Sequence, residues 1–341
     1  MKRLLLSCIV AATTVGSQAA DGKLKVKMDC KSVGDTILVA GHRAGKPDTI
    51  VGRQGVFDFE IEVPQVGNVI LAEPQAMRGD RSASVFRLPA VPGEQVVVTA
   101  ADKSRYDVDG STFYAQYHEA DVAIEAAQAA DQDPTETIIS FIKAHPDYEA
   151  SAAIVAQLDS YDDMKRAVAL LSPAVRDGRF KPYYERLLSR AEAQKKADEE
   201  AAKKQATGIE APAFTLNDLE GKPLSLASLR GKYVVLDFWG SWCIWCIRGI
   251  PKMKEYYAKY QGKFEILGID CNDTDQKWRE AVKKHELPWL HVYNPRETSV
   301  LSDYGIQGFP TKIIVGPDGK IVKTIVGEDP AFYDVLDELF K

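Results

Sequence analysis

Two cysteines three positions apart, in Trp242-Cys243-Ile244-Trp245-Cys246, are the residues of this chain best placed to do chemistry. They follow an apolar run, Tyr233 to Trp239, that reads as a strand, and they open a stretch of helical spacing that continues to Tyr260. In that setting Cys243 stands at a helix N-terminus with Cys246 one turn further in. Unpaired N–H groups and the positive end of the helix dipole there stabilise a thiolate, holding Cys243 below the free-cysteine value of ~8.5. Cys246 can then attack a mixed disulfide formed at Cys243. A structural disulfide, half of a zinc site and two inert thiols fit the same spacing. Zinc needs a second pair of ligands, and the sequence holds no other C-x-x-C and no H-x-x-x-H. The strand-then-helix setting favours the redox pair.

The other cysteines are Cys8, Cys30 and Cys271, and five in 341 residues are too few for a disulfide scaffold. Cys30 closes a strict alternation in which Leu24, Val26, Met28 and Cys30 point one way and lysines and Asp29 the other, so it reads as a small core residue of a strand. Cys271 follows the strand Phe264 to Asp270 on the side where such sheets carry active sites, which suits a regulatory thiol or, more simply, an unreactive one. Trp239, Trp242 and Trp245 could form an apolar rim for a peptide, with Trp239, at a strand end, assigned to the core.

With 45% hydrophobic and 27% charged residues the chain is an ordinary folded protein, long enough for two or three domains. Lys and Arg number 43 against 49 Asp and Glu, a formal charge of −6, so no global basic surface exists to neutralise a nucleic-acid backbone and nucleic acid is set aside as a partner. Lys2 and Arg3, the apolar run Leu4 to Val15 and the small residues up to Ala20 match a cleavable secretory signal over residues 1–19. The competing lipoprotein reading, with Cys8 as the lipidated residue, would leave seven residues before cleavage and strand Ile9 to Val15 in the mature chain. Either route leads to a compartment where disulfides persist, here the periplasm.

Short strand-like runs separated by Gly, Pro and Asp make residues 20–110 a small all-β sandwich or barrel. Residues 111–207 have helical spacing, as in Ile138, Ile139, Phe141 and Ile142, and read as a helical connector whose last part, Leu187 to Ala206, is a solvated spacer. From residue 208 to 341, strands and helices alternate as in an α/β domain with a central sheet. Gly41 to Pro47 is one residue short of a phosphate loop and has Pro47 where Ser or Thr is required, so it is a hairpin turn. His118, Glu119 and Asp121 sit together on a helix and read as solvent-facing residues rather than metal ligands, and no metal is expected.

Asp237 to Cys246 resembles the thioredoxin active-site segment, and Tyr304-Gly305-Ile306-Gln307-Gly308-Phe309-Pro310-Thr311 resembles the loop that carries its cis-proline. Ala211 to Leu216, Gly221 to Leu226 and the added helix and strand between Asp270 and Tyr304 are similar to extracytoplasmic thiol-disulfide oxidoreductases of the TlpA/ResA type, grouped with the AhpC/TSA superfamily. The β-rich N-terminal part resembles an uncharacterised domain often fused ahead of such modules. No P-x-x-x-T-x-x-C peroxidase signature is present. The resemblance implies an α/β thioredoxin-like domain over 208–341, with Cys243 as attacking thiol, Cys246 as resolving thiol and Pro310 beside them, leaving the preceding backbone to pair with an extended substrate. It makes Asp237 a buried carboxylate that exchanges a proton with Cys246. Trp242, Ile244, Trp245 and Phe309 are the candidate substrate-binding residues. No cofactor is implied, and the partners would be cysteine-containing extracytoplasmic proteins and a membrane electron donor.

Two departures stand out. Ile266 occupies the apparent place of the thioredoxin lysine near the buried aspartate, which removes a charge partner, and Ile244-Trp245 contains no proline. The expectation is an exported reductase of protein disulfides. Within the enzyme class the alternative is an isomerase or oxidase, and outside it an envelope adaptor with a secondary redox pair.

Overall fold

The computed structural model describes residues 22–100 and 106–341, so the signal segment and Cys8 lie outside the described residues. The chain divides into two compact units, 1–193 and 194–341. No described helix is long and apolar enough to cross a membrane.

The first unit begins with β1 (Lys23–Cys30), β2 (Thr36–Ala40), β3 (Asp48–Val51), β4 (Val56–Glu62), β5 (Gly67–Ala72), β6 (Val85–Ala90), β7 (Gln95–Ala100) and β8 (Asp107–Gly110). They form two open four-stranded sheets, ordered β4-β1-β7-β8 and β3-β2-β5-β6, and neither closes into a barrel. Alternation sets the inner face, since Leu24, Val26, Met28 and Cys30 of β1 are buried while Lys25, Lys27 and Asp29 are exposed. Burial pushes the Cys30 thiol up to about 11. Residues 41–47 connect the antiparallel pair β2 and β3, where Val39 lies opposite Asp48, and so form a hairpin connection.

The helices that follow are α1 (Thr112–Ala129), α2 (Pro134–Ala144), α3 (Glu149–Ala153), α4 (Tyr161–Leu170), α5 (Pro173–Arg176) and α6 (Lys181–Lys204). They do more than connect. Ile138, Ile142, Ile154, Val155 and Phe180 share one hydrophobic cluster with Val26, Val39, Leu71 and Leu88 of the sheets. An amphipathic helix such as α2, with Ile138, Ile139, Phe141 and Ile142 on one face, must bury that face, and the sheets supply the surface. The second half of α6 is largely solvated.

The second unit contains β9 (Thr215–Asp218), β10 (Pro223–Ser225), β11 (Tyr233–Trp239), α7 (Ile244–Lys259), β12 (Phe264–Cys271), α8 (Asp275–Lys284), β13 (Leu290–Asn294), α9 (Val300–Asp303), β14 (Thr311–Val315), β15 (Ile321–Val326) and α10 (Ala331–Phe340). Its seven strands form one sheet in the order β10-β9-β13-β12-β11-β14-β15. β11 runs parallel to β12, and β12 to β13, while β14 runs antiparallel to β11. Successive residues of the central strands enter different cores. Leu236, Phe238, Leu267, Ile269, Val292 and Ile313 belong to one cluster, Val235, Ile266 and Ile314 to another. Strand periodicity then places Asp237, Gly268, His291 and Lys312 on the face of Val235, Ile266 and Ile314. Met253 of α7 and Phe332 of α10 pack into the core on that face.

Candidate active site

β11 ends at Trp239, and the chain turns through residues 240–242 into α7, whose N-cap is Cys243. Cys243 has an extended backbone, and its Sγ accepts a hydrogen bond from the Cys246 backbone N–H at 3.1 Å. The two cysteines are joined in a disulfide with a Cα–Cα distance of 5.3 Å. The turn is tied to the end of β12 and the loop after it. Trp242 Nε1 donates to the Cys271 carbonyl at 2.9 Å, and the Ser241 N–H and Oγ donate to Asp273 at 2.6 and 2.7 Å. Gly240 must lack a side chain, because a Cβ there would stand 2.4 Å from Trp242 Nε1 and 2.8 Å from the Cys271 oxygen.

The disulfide is buried, whereas its neighbours form the exposed rim. Cys243 and Cys246 are 5% and 6% exposed, against 53% for Trp242, 53% for Ile244 and 57% for Trp245. Trp242 meets Phe309 edge to face, with ring centroids 5.3 Å apart, while Ile244 and Trp245 lie on the first turn of α7. The Arg248 guanidinium sits 4.9 Å from the Trp245 ring centre. The Phe309–Pro310 bond is cis and Pro310 is buried. The loop before it is held by the end of α6 and the residue after it: Lys204 Nζ donates to the Ser302 carbonyl at 2.5 Å, and Gln205 Nε2 to those of Tyr304 and Gly305 at 2.9 and 3.1 Å. Trp239, by contrast, is core.

Below the disulfide, Asp237 is buried, and its Oδ1 has no hydrogen-bond partner among the described residues. Burial pushes its carboxyl up to about 6, against a lowering by Lys312 and a further rise from Glu328. Cys271 is buried as well, and burial raises its thiol far above the ordinary range, as an unreactive cysteine requires. Among the described residues no group of three or more His, Cys, Asp or Glu side chains is arranged to hold a metal ion.

The AhpC/TSA family matches residues 207–324. A thiol-disulfide oxidoreductase ResA of Bacillus cereus is 39% identical over 126 residues, which span 37% of this chain and 72% of that protein. This chain belongs to the ResA-like thiol-disulfide oxidoreductases. ResA of Bacillus subtilis (strain 168) is 31% identical over 121 residues, 35% of this chain and 67% of that one. A solved thioredoxin domain of a thiol-disulfide oxidoreductase from Bacteroides vulgatus is 33% identical, covering 40% of this chain and 99% of its own, with a TM-score of 0.38. The oxidoreductase family accounts for the second unit.

Asp237 has a charge partner that does not come from β12. Ile266 leaves Asp237 no lysine from β12, since Ile266 pairs with Val235 one row away, but a charge partner is present on the other side. Lys312 of β14 lies directly opposite Asp237, and its Nζ contacts Glu328 Oε2 at 2.8 Å. A lysine inside the apolar run Thr311-Lys312-Ile313-Ile314-Val315 was the signal for it. Asp270 is a second buried acid, pushed up to about 9 by burial first and Asp273 second.

Proposed function

We propose that this oxidoreductase is exported and reduces disulfides of cysteine-containing extracytoplasmic proteins through Cys243 and Cys246, refilled by a membrane electron donor. The observation that carries the reading is the place of Cys243, as N-cap of a sixteen-residue helix with its sulfur accepting an N–H, where a thiolate is favoured. In the reduced enzyme the Cys243 thiolate attacks one sulfur of a substrate disulfide, and the other substrate sulfur leaves as a thiolate. Asp237 takes the proton of Cys246, whose thiolate attacks Cys243 and releases the second substrate sulfur. Two electrons and two protons pass to the substrate, and the enzyme retains the Cys243–Cys246 disulfide. Trp242, Ile244, Trp245 and Phe309 receive the substrate chain beside Pro310. Export rests on the Lys2 to Ala19 signal pattern.

The test is the reduction potential of the pair, measured by equilibrating the purified protein with glutathione buffers. A value below about −250 mV is expected of a reductase; one above about −180 mV would make the protein an oxidase or isomerase. A disulfide that does not cycle would leave the adaptor reading.

A further inference from the structure

The row of residues that crosses the sheet beneath the disulfide contains more than Asp237. Lys312, Asp237, Gly268 and His291 lie opposite one another on β14, β11, β12 and β13, and directly opposed residues share a face. A lysine on a buried sheet face requires an anion. The Lys312 side chain is 1% exposed, and its Nζ meets Glu328 Oε2 at 2.8 Å. Glu328, just beyond the end of β15, is held from the other side by the Tyr333 hydroxyl, which donates to Oε1 at 3.1 Å.

Glu328 also touches the helix that carries the cysteines. A Cβ at Gly249 would stand 2.3 Å from Glu328 Oε2 and 2.7 Å from Oε1, so the carboxylate occupies the space a side chain at 249 would fill. Cys246, Gly249, Ile250 and Met253 make up the buried face of α7. The carboxylate thus sits one turn from Cys246 on the helix face that covers Asp237. At 20% side-chain exposure, Glu328 is also the member of the group in touch with water.

We propose that Lys312 and Glu328 are positioning residues for thiol-disulfide exchange: the ion pair of the buried lysine with the half-buried glutamate decides whether Asp237 is charged, and so able to take the proton, when Cys246 must become a thiolate. This rests on the reading of Asp237 as the proton acceptor of Cys246. The step is Cys246–SH plus Asp237 carboxylate giving Cys246 thiolate plus Asp237 carboxylic acid. The thiolate then bonds to Cys243 sulfur as the mixed disulfide breaks, the substrate thiolate leaves and takes up a proton, and Asp237 returns its own proton to solvent. The remaining titratable groups on this face are kept out of the exchange. His291 is held neutral by burial, with its pKa pushed down to about 3. Burial raises Tyr333 on α10 beyond the neutral range, and burial with the neighbouring Asp273 pushes Asp270 of β12 up to about 9.

The experiment follows the resolving step itself. The reduced full chain is reacted with glutathione disulfide, quenched in acid, and the lifetime of the glutathione adduct on Cys243 is measured by mass spectrometry between about pH 5 and pH 9. The wild-type rate should inflect near pH 6, where Asp237 loses its proton. Glu328→Gln removes the neighbouring negative charge and leaves Lys312 unpaired, so the inflection should fall by about one pH unit or more. Lys312→Met should raise it by a similar amount, and Gly249→Ala, which displaces the Glu328 carboxylate, should shift it in the direction of Glu328→Gln. If Lys312→Met does not fold, the nearly isosteric Glu328→Gln still decides. Profiles of Glu328→Gln and Gly249→Ala that coincide with wild type, while Asp237→Asn abolishes the inflection, would overturn this proposal and leave the role of Asp237 intact. An inflection that survives in Asp237→Asn would remove the parent reading instead.

Discussion

Replacing Asp237 by Asn should change the stability of the oxidised redox unit in a manner that depends on pH. Burial raises the carboxyl from 3.8 to about 6, so between those values the folded chain binds more of the proton than the unfolded chain does. Stability therefore falls as pH rises through this window, and the full cost is present above it. Two pH units at about 1.4 kcal/mol each give about 3 kcal/mol at pH 8. At pH 4 the folded carboxyl is protonated and the unfolded one is only partly ionised, so only a small part of that cost remains. Asn carries its own cost of burying an amide, about 1–3 kcal/mol, but that cost does not change with pH. The quantity to measure is the stability difference between variant and wild type, which should move in favour of the variant by about 2 kcal/mol from pH 4 to pH 8. All five tryptophans, Trp239, Trp242, Trp245, Trp278 and Trp289, lie in the second unit, so urea unfolding followed by tryptophan fluorescence reads this unit alone. Other titrating groups, Asp270 among them, are common to both proteins and drop out of the difference. A difference that is the same at pH 4 and pH 8 would refute the reasoning.

Trp242→Ala removes an exposed ring that packs on Phe309 and is anchored by the Cys271 carbonyl. The rate of reduction of a protein disulfide should drop about tenfold, the loss of roughly 1–2 kcal/mol of aromatic contact, while reduction of a small disulfide changes little; equal losses on both substrates would show that the ring only shapes the turn. Gly268→Ala puts a Cβ 2.7 Å from His291 Nδ1 and 3.2 Å from Trp239 Nε1 in the middle of the buried row. It should destabilise the second unit by about 1–3 kcal/mol in the same urea assay, and a loss below the error of that assay would mean the His291 ring has room to move.

What the sequence revealed here was local, and what it concealed depended on register. The cysteine pair, its strand and helix, and the Phe309–Pro310 loop are each written within a few consecutive residues, so the motif and its immediate geometry could be read together. The short hairpin of β9 and β10 has too few residues for periodicity to register, and α9 is a single turn. Helices α1 to α5 read as a connector because nothing in Ile138 or Ile154 says which surface will bury them; that is decided by sheets lying far back in the chain. The charge partner of Asp237 was hidden for the same reason. The expected place for it is on β12, where Ile266 stands, whereas the lysine arrives from β14, and its carboxylate comes from a residue sixteen positions further on, beyond a hairpin. Lys312 was visible as a lone charge in an apolar strand, but its meaning required knowing that β14 lies beside β11.

The sheet face under the disulfide also explains why a carboxylate rather than a histidine should serve the exchange. Histidine is ordinarily the side chain that titrates near neutrality, and His291 stands in the right row. Gly268 leaves space for its ring, but the space is dry: both ring nitrogens lack partners among the described residues and burial drives the pKa to about 3. The same burial acts in the opposite direction on acids, since it disfavours whichever form is charged. It carries Asp270, further along β12 and beside Asp273, up to about 9, which keeps that carboxyl protonated at neutral pH. Asp237 lies between these extremes because it alone faces a lysine, so the rise from burial is partly offset and ends near 6. One low-dielectric environment thus silences the base that would normally switch and brings into range an acid that normally would not. The Lys312–Glu328 pair provides the fine adjustment, because each partner pushes Asp237 in a different direction.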